Sequence, residues 1–306
     1  MLFENAYLGR NAWWRWGLTI AVTMLVWLVG HAPILIFIEM ERTRLGLGEH
    51  AFFEGAFPAG VDQNLYFLLV LIPFALGFVT LWLMIRWVHK KPLVAVMTGR
   101  PAFEWRRAIF AYVLWLALSI VGAFVIMPAS AYTFQYEPLR FLPLLLMAIF
   151  FLPLQTTFEE VLFRGYLMQG LYLLLRSRLV AFVLVTAAFV LIHVANPEFS
   201  RDYVVGAALY ITVSVLLGLA AVLDDGLEIP CGIHAANNFF LVAILSPTDG
   251  SFATYALYTS SLEIMMVHSP WLDIGLAVVA LIVLTIVWRW RLSRFMPSAG
   301  KTLKQL

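Results

Sequence analysis

Three groups of polar residues stand in stretches otherwise rich in Leu, Val, Ile and Phe: Glu159-Glu160-Val161-Leu162-Phe163-Arg164, Phe189-Val190-Leu191-Ile192-His193 and His234-Ala235-Ala236-Asn237-Asn238. Residues four apart share a helical face, so Glu160 faces Arg164, Phe189 faces His193, and His234 faces Asn238. The Glu160–Arg164 pair neutralises two charges. Glu159 is turned about 100° away from Glu160 and lacks that partner. A carboxylate taken out of water without a cation holds a proton more readily, which suits a general base or acid near neutral pH. A carboxylate beside an imidazole can activate water, and an amide or imidazole N–H can stabilise an oxyanion. Each group also has a plain alternative: acids at a headgroup boundary, or His and Asn as hydrogen-bonding glue between helices. The apolar run continuing from Tyr166 to Leu175 places the acids inside the segment. Three such groups on three helices of one chain are hard to dismiss as glue.

The elements that carry these residues must be membrane helices. Hydrophobic residues make up 62% of the 306 and charged residues 12%, against about 45–50% and about 25% in soluble domains. So little charge cannot cover a water-facing surface. The net charge of +2 and the lack of a basic run interleaved with aromatics exclude nucleic acid as a partner. A single cysteine, Cys231, excludes an internal disulfide and a Cys-based zinc site; one turn before His234, it reads as an inert buried thiol. The fold expected is all-α and integral to the membrane, a single polytopic domain over 1–306 with membrane lipid as its main surrounding.

Eight apolar stretches near spanning length run roughly over 16–38, 64–86, 108–130, 141–170, 179–195, 203–223, 229–246 and 271–289. The first reads as a retained span. Arg10 and Arg15 precede it; Arg86, Lys90, Lys91, Arg100, Arg106 and Arg107 follow the second; Arg176 and Arg178 follow the fourth; Arg289, Arg291, Arg294, Lys301 and Lys304 form the tail. The opposite loops hold only Arg42, Arg44, Arg140 and Arg201. The positive-inside rule therefore places both termini in the cytoplasm. The loop with Asp224, Asp225 and Glu228 falls on the same side but has no Lys or Arg to support it.

Placement within the spans adds to the case. Glu159 is seventeen residues before Arg176, and His193 fifteen after Arg178. In an antiparallel hairpin both then sit roughly 22–26 Å from one loop, side by side. Pro230 suits the first turn of the helix bearing His234, placing that residue near a positive helix end. Pro153 is placed to kink the helix before Glu159 and open a cavity. His31 reads as structural, and Trp13, Trp14, Trp16, Trp271, Trp288 and Trp290 as an interfacial belt.

The ordered set Glu159-Glu160-x-x-x-Arg164, Phe189-x-x-x-His193 and His234-x-x-x-Asn238 resembles the CAAX prenyl protease and bacteriocin-processing family, also called CPBP or Abi, over about residues 140–245. The family includes the type II CAAX prenyl endopeptidases. The resemblance implies peptide-bond hydrolysis in or near the membrane on a membrane-associated protein or peptide. It implies that Glu159 and His193 activate a water, and that His234 and Asn238 stabilise the oxyanion. Phe189 and Asn237 line the site, and Asn237 leaves open which amide points inward. The family is often labelled metalloprotease, and Glu159, His193 and His234 could supply three zinc ligands. Yet there is no His-Glu-x-x-His helix, and a zinc site needs a separate base. No cofactor is therefore favoured, with zinc as the alternative. A transporter, or an immunity or scaffold protein of the same fold, is the rival reading. A compact membrane-only layout suits a bacterial inner membrane.

Overall fold

The computed structural model describes residues 1–48, 60–250 and 253–295. Lys301 and Lys304 of the basic tail lie outside the described residues. The first span is bent rather than straight: α1 (Trp13–Val29) gives way at Gly30–His31 to α2 (Ala32–Leu45). A side chain at residue 30 would come within 2.9 Å of the Pro73 backbone in α3 (Gln63–Trp87), so only glycine permits this crossing. His31 closes the bend by bonding the Trp27 carbonyl through Nδ1 at 2.8 Å.

After α3 come the single turn α4 (Val94–Met97) and α5 (Trp105–Val121), which widens into π-helical turns over Gly122–Ile126. The fourth apolar stretch is broken in two. α6 (Pro138–Phe150) stops at Phe151, and α7 (Leu152–Glu160) restarts with Pro153 in its first turn. Proline has no N–H to give the preceding turn, so the ladder is interrupted just ahead of the acidic pair. π-helical turns over Val161–Leu167 follow, then α8 (Met168–Leu175). Arg176, in the left-handed conformation, and Ser177, capping the next helix, turn the chain into α9 (Arg178–Ile192). The short α10 (Pro197–Arg201), then α11 (Tyr203–Asp224), α12 (Glu228–Phe239) with π-helical turns to Ile244, and α13 (Leu262–Trp288) complete the bundle.

Each of the eight apolar stretches is thus helical. Six described helical stretches are long and apolar enough to cross a membrane: Trp13–Leu45, Gln63–Trp87, Trp105–Ile126, Pro138–Leu175, Tyr203–Asp224 and Pro270–Trp288. The fifth and seventh are shorter, with 15 residues in α9 and 12 in α12. The chain is an all-α membrane protein. Among the described residues it also carries a small sheet of β1 (Thr133–Phe134), β2 (Leu245–Pro247) and β3 (Tyr258–Ser260) in the order β1-β3-β2, with β3 antiparallel to β1 and parallel to β2.

The loops segregate to two ends. At one end, the Leu2 N–H donates to Asp225, Gln169 donates to the carbonyls of Leu2 and Ala95, and Arg178 donates to the Arg294 carbonyl. Arg100 pairs with Asp224 at 3.0 Å and Glu228 at 3.2 Å, and Arg107 with Asp224 at 2.8 Å. The acidic loop therefore lies against the basic one, which explains why it needs no Lys or Arg of its own. The sheet and the Arg201–Asp249 pair belong to the other end.

One of the tryptophans expected in the belt is interior: Trp290 donates to Asp224 at 3.0 Å, while Trp16 is half-buried against His89 and Tyr166. An indole N–H with a buried carboxylate in reach serves as an anchor rather than a headgroup contact. Trp13 and Trp271 do remain exposed, at 85% and 81%.

Candidate active site

α12 carries polar residues yet is almost wholly buried, and its close packing explains how. A Cβ on Gly232 would lie 2.2 Å from the Ala108 carbonyl of α5, so the two backbones touch there. Ala235 and Ala236 are buried on the same helix. On α7, the ring of Phe158 rests where a side chain on Gly77 of α3 would be. These small residues draw α3, α5, α7 and α12 together and bring the polar side chains of α7 and α12 face to face.

His234 is the centre of the contact. Its Nδ1 donates to Glu160 Oε1 at 2.8 Å, and its Nε2 lies 3.6 Å from Glu159 Oε2. Glu160 Oε1 also accepts from Arg164 Nη1 at 3.1 Å, both side chains being fully buried. Arg164 further donates to Ser214 of α11 at 3.1 Å, and its guanidinium lies 3.9 Å from the centre of the Phe189 ring. Glu160 thus has two tasks: it neutralises Arg164, and it fixes the ring of His234. The second was not visible from α7 alone, because it depends on how α12 lies across it.

Glu159 is not without a partner. Gln155, one turn earlier on the same face, donates Nε2 to Glu159 Oε1 at 2.6 Å. The i, i+4 spacing was in the sequence, but an amide in a Thr-rich turn gave no reason to single it out. Asn238 donates to Gln155 Oε1 at 3.0 Å, whereas Asn237 turns toward Trp115 of α5, whose Nε1 it accepts at 3.3 Å. Of the adjacent amides, Asn238 therefore points toward the acids.

His193 ends α9. A carbonyl only accepts, so its 2.7 Å contact from Nδ1 to the Phe189 carbonyl places a hydrogen on Nδ1 and leaves Nε2 for chemistry. The ring stacks on Tyr210, with centroids 4.7 Å apart. Tyr210 accepts from Asn196 at 2.6 Å and donates to Glu198 at 3.3 Å. These positioning groups were missed because they sit beyond the helix end, in a turn and on α11.

Glu159, His193, His234 and Asn238 all line one cavity of about 750 Å³, together with Gln155, Phe189, Asn237 and Tyr210. Most of its wall is apolar, with Trp27, Phe74, Leu162, Met265 and Leu276 among the lining residues. Glu160 and Arg164 are not on that wall. Leu162 and Phe163 of the π-helical turns after Glu160 line the cavity, a form of local irregularity that often accompanies functional sites. Among the described residues, no three His, Cys, Asp or Glu side chains converge as a metal-binding group. The trio Glu159, His193 and His234 is not such a group as placed: His234 Nε2 lies 3.6 Å from Glu159 Oε2, but the three donors do not converge on one point. Cys231 packs in the hydrophobic core beside Val161 and Leu227.

Comparison with known proteins bears on the same segment. Residues 139–240 match the model of the type II CAAX prenyl endopeptidase Rce1-like family. The chain is also 29% identical over 250 residues to the uncharacterized protein YyaK of Bacillus subtilis (strain 168), covering 80% of this chain and 82% of that protein. No solved structure matches. The matched segment runs from α6 to the end of α12 and so contains every polar residue that faces the cavity core on α7, α9 and α12. Residues 139–240 of this integral membrane protein are therefore similar to the Rce1-like type II CAAX prenyl endopeptidases, a family of peptidases.

Proposed function

We propose that this protein is an intramembrane endopeptidase that hydrolyses a peptide bond in a membrane-associated protein or peptide, using water activated by Glu159 and His193. The observation that supports it best is the meeting of Glu159, His193, His234 and Asn238 on one cavity wall, within the segment matched to the peptidase family.

The chain's own residues divide the work. Glu159 Oε1 is held by Gln155, which leaves Oε2 to take a proton from a water in the cavity. His193 presents Nε2 to the same space and shares that proton. His234 and Asn238 face the carbonyl oxygen as charge develops on it. With Nδ1–H given to Glu160, His234 donates through Nε2 only as imidazolium; the set Glu159, Glu160, Arg164 and His234 then carries no net charge. The apolar remainder of the cavity suits a lipid-like or strongly apolar segment near the scissile bond. No metal enters this scheme. Membrane lipid surrounds the bundle, and no partner beyond the substrate is needed.

The basic loops assemble at one end, which supports a cytoplasmic location for that end and both termini in a bacterial inner membrane. Reporter fusions near Lys90 and after Arg294 should both report cytoplasm, and a periplasmic signal at either would reverse the orientation.

The experiment that tests the function compares membrane proteomes of a deletion strain with strains restored by wild type or Glu159→Ala. A protein or peptide that is shortened only in the wild-type strain identifies the substrate. A deletion phenotype that Glu159→Ala restores fully would instead favour a transporter or an immunity or scaffold protein.

A further inference from the structure

A line of side-chain hydrogen bonds runs from the centre of α5 to the acid on α7. Trp115 Nε1 donates to Asn237 Oδ1 at 3.3 Å, Asn237 Nδ2 to Asn238 Oδ1 at 3.3 Å, Asn238 Nδ2 to Gln155 Oε1 at 3.0 Å, and Gln155 Nε2 to Glu159 Oε1 at 2.6 Å. Trp115, Gln155, Glu159 and Asn238 are all buried, and Asn237 is half-buried.

The direction of this line is forced by chemistry. An indole nitrogen only donates, and an ionised carboxylate only accepts. With a donor at one end and an acceptor at the other, each of the three amides has one orientation that satisfies both neighbours. Flipping any one would set two N–H groups or two carbonyls against each other in a low-dielectric interior. The line therefore decides two features of the reaction centre. It gives the Asn238 nitrogen, not its oxygen, to the side facing Gln155 and the acid. It also places a charge-assisted bond on Oε1 of Glu159, so that Oε2, 3.6 Å from His234 Nε2, is the atom left to take a proton.

We infer that Gln155 is a positioning residue that holds the base and the oxyanion amide in register, with Trp115 and Asn237 fixing the direction of the line. This rests on the reading of Glu159 as the base. Loss of the Gln155 bond leaves Glu159 Oε1 and the Asn238 amide without the partner that orients them.

The test reads the bond directly and needs no substrate. Infrared difference spectra of full-length protein in lipid are taken at one pH, the carboxylate band of Glu159 being the one that Glu159→Gln abolishes. In Gln155→Leu that band should shift in frequency, because a donor is lost from one of the two oxygens. Trp115→Phe should shift it in the same direction by less. A folded Gln155→Leu protein whose band equals wild type overturns the inference, leaving Gln155 as packing only. If Gln155→Leu does not accumulate as folded protein, Trp115→Phe decides: a shifted band supports the line, and an unmoved band overturns it. Once a substrate is known, Gln155→Leu should lower kcat with KM little changed. Absence of any peptidase activity in wild type would sink the functional reading while the infrared result stood alone.

Discussion

At the ends of α5, α11 and α12, Arg100 and Arg107 meet Asp224 and Glu228, with Trp290 and the Glu104 backbone N–H adding donors. Six residues further along α12, about 9 Å at helical rise, Glu159, Glu160 and Arg164 meet His234. Both clusters bury carboxylates almost completely, with Asp224 at 1%, Glu228 at 0%, Glu160 at 0% and Glu159 at 7%. They differ in what the atoms face. In the first, the acids are matched by two guanidinium groups and an indole, and none of these residues touches the cavity. In the second, Glu160 and Arg164 are sealed off, but Glu159 and His234 each present an atom to a space of about 750 Å³. Burial of charge does not by itself distinguish structure from chemistry. Capacity left pointing at a space that a substrate can enter does.

Substitution of Glu159 should show the largest effect on activity. Glu159→Gln keeps size and the bond with Gln155 but cannot take a proton. It should stay folded in the membrane and lose about 10²–10⁴-fold in turnover, the range for a general base. A protein that is destabilised yet fully active per folded molecule would move Glu159 into the structural class. Asn238→Ala, which removes an oxyanion donor, should cost about 10²–10³-fold with the fold retained.

The opposite pattern is expected at the end cluster. Asp224→Asn removes the charge that Arg100 and Arg107 share. It should lower stability by about 3 kcal/mol, near the low end for breaking a buried pair because both guanidinium groups are partly exposed. Thermal unfolding in detergent measures this, and turnover per folded molecule should equal wild type. A selective loss of turnover would show that the end cluster communicates with the cavity.

Glu160 falls between the two classes, which makes it the sharpest single position. Glu160→Gln weakens the partner of a fully buried Arg164, at about 3–5 kcal/mol. It also loosens the anchor of His234, so turnover per folded molecule should fall as well. A charge swap of Glu160→Arg with Arg164→Glu should recover part of the stability. It should not recover turnover, because the carboxylate that held His234 would stand one turn further along.

The sequence made the eight apolar stretches and the three polar groups legible because lipid enforces both: apolar length is required to span, and every charge left inside stands out. What it hid depends on contact between helices. Glu160 could be matched to Arg164 by helical spacing, but its bond to His234 exists only because Gly232 lets α12 press onto α5 and so meet α7. Gln155 and Trp115 are uncharged, so their types drew no notice among apolar neighbours. Tyr210 lies on a helix whose sequence motif is unremarked, and only the stacking on His193 reveals it. The break at Phe151 was foreshadowed by Pro153, whereas the π-helical turns after Glu160 have no local marker that we can name.

The smallest expected effect tests whether the cavity cluster belongs to a third kind, a metal centre. A zinc site would need Glu159, His193 and His234 to turn free donor atoms toward one point at about 2.0–2.2 Å. Here His193 commits Nδ1 to the Phe189 carbonyl, which is compatible with ligation through Nε2. His234 Nε2 stands 3.6 Å from Glu159 Oε2, a spacing that two ligands of one ion can have, and its Nδ1 is held by Glu160; but among the described residues no third His, Cys, Asp or Glu converges with such a pair. Purified protein should therefore contain no stoichiometric zinc, and chelation should leave both turnover and thermal stability unchanged. Stability must be read in the same samples, because a structural metal also supports folding. Turnover that is lost on chelation and restored by zinc, with the fold intact, would mean that His193 Nε2 joins Glu159 and His234 when the metal binds. Glu160→Gln would then also weaken zinc binding, since Glu160 orients the ring of His234.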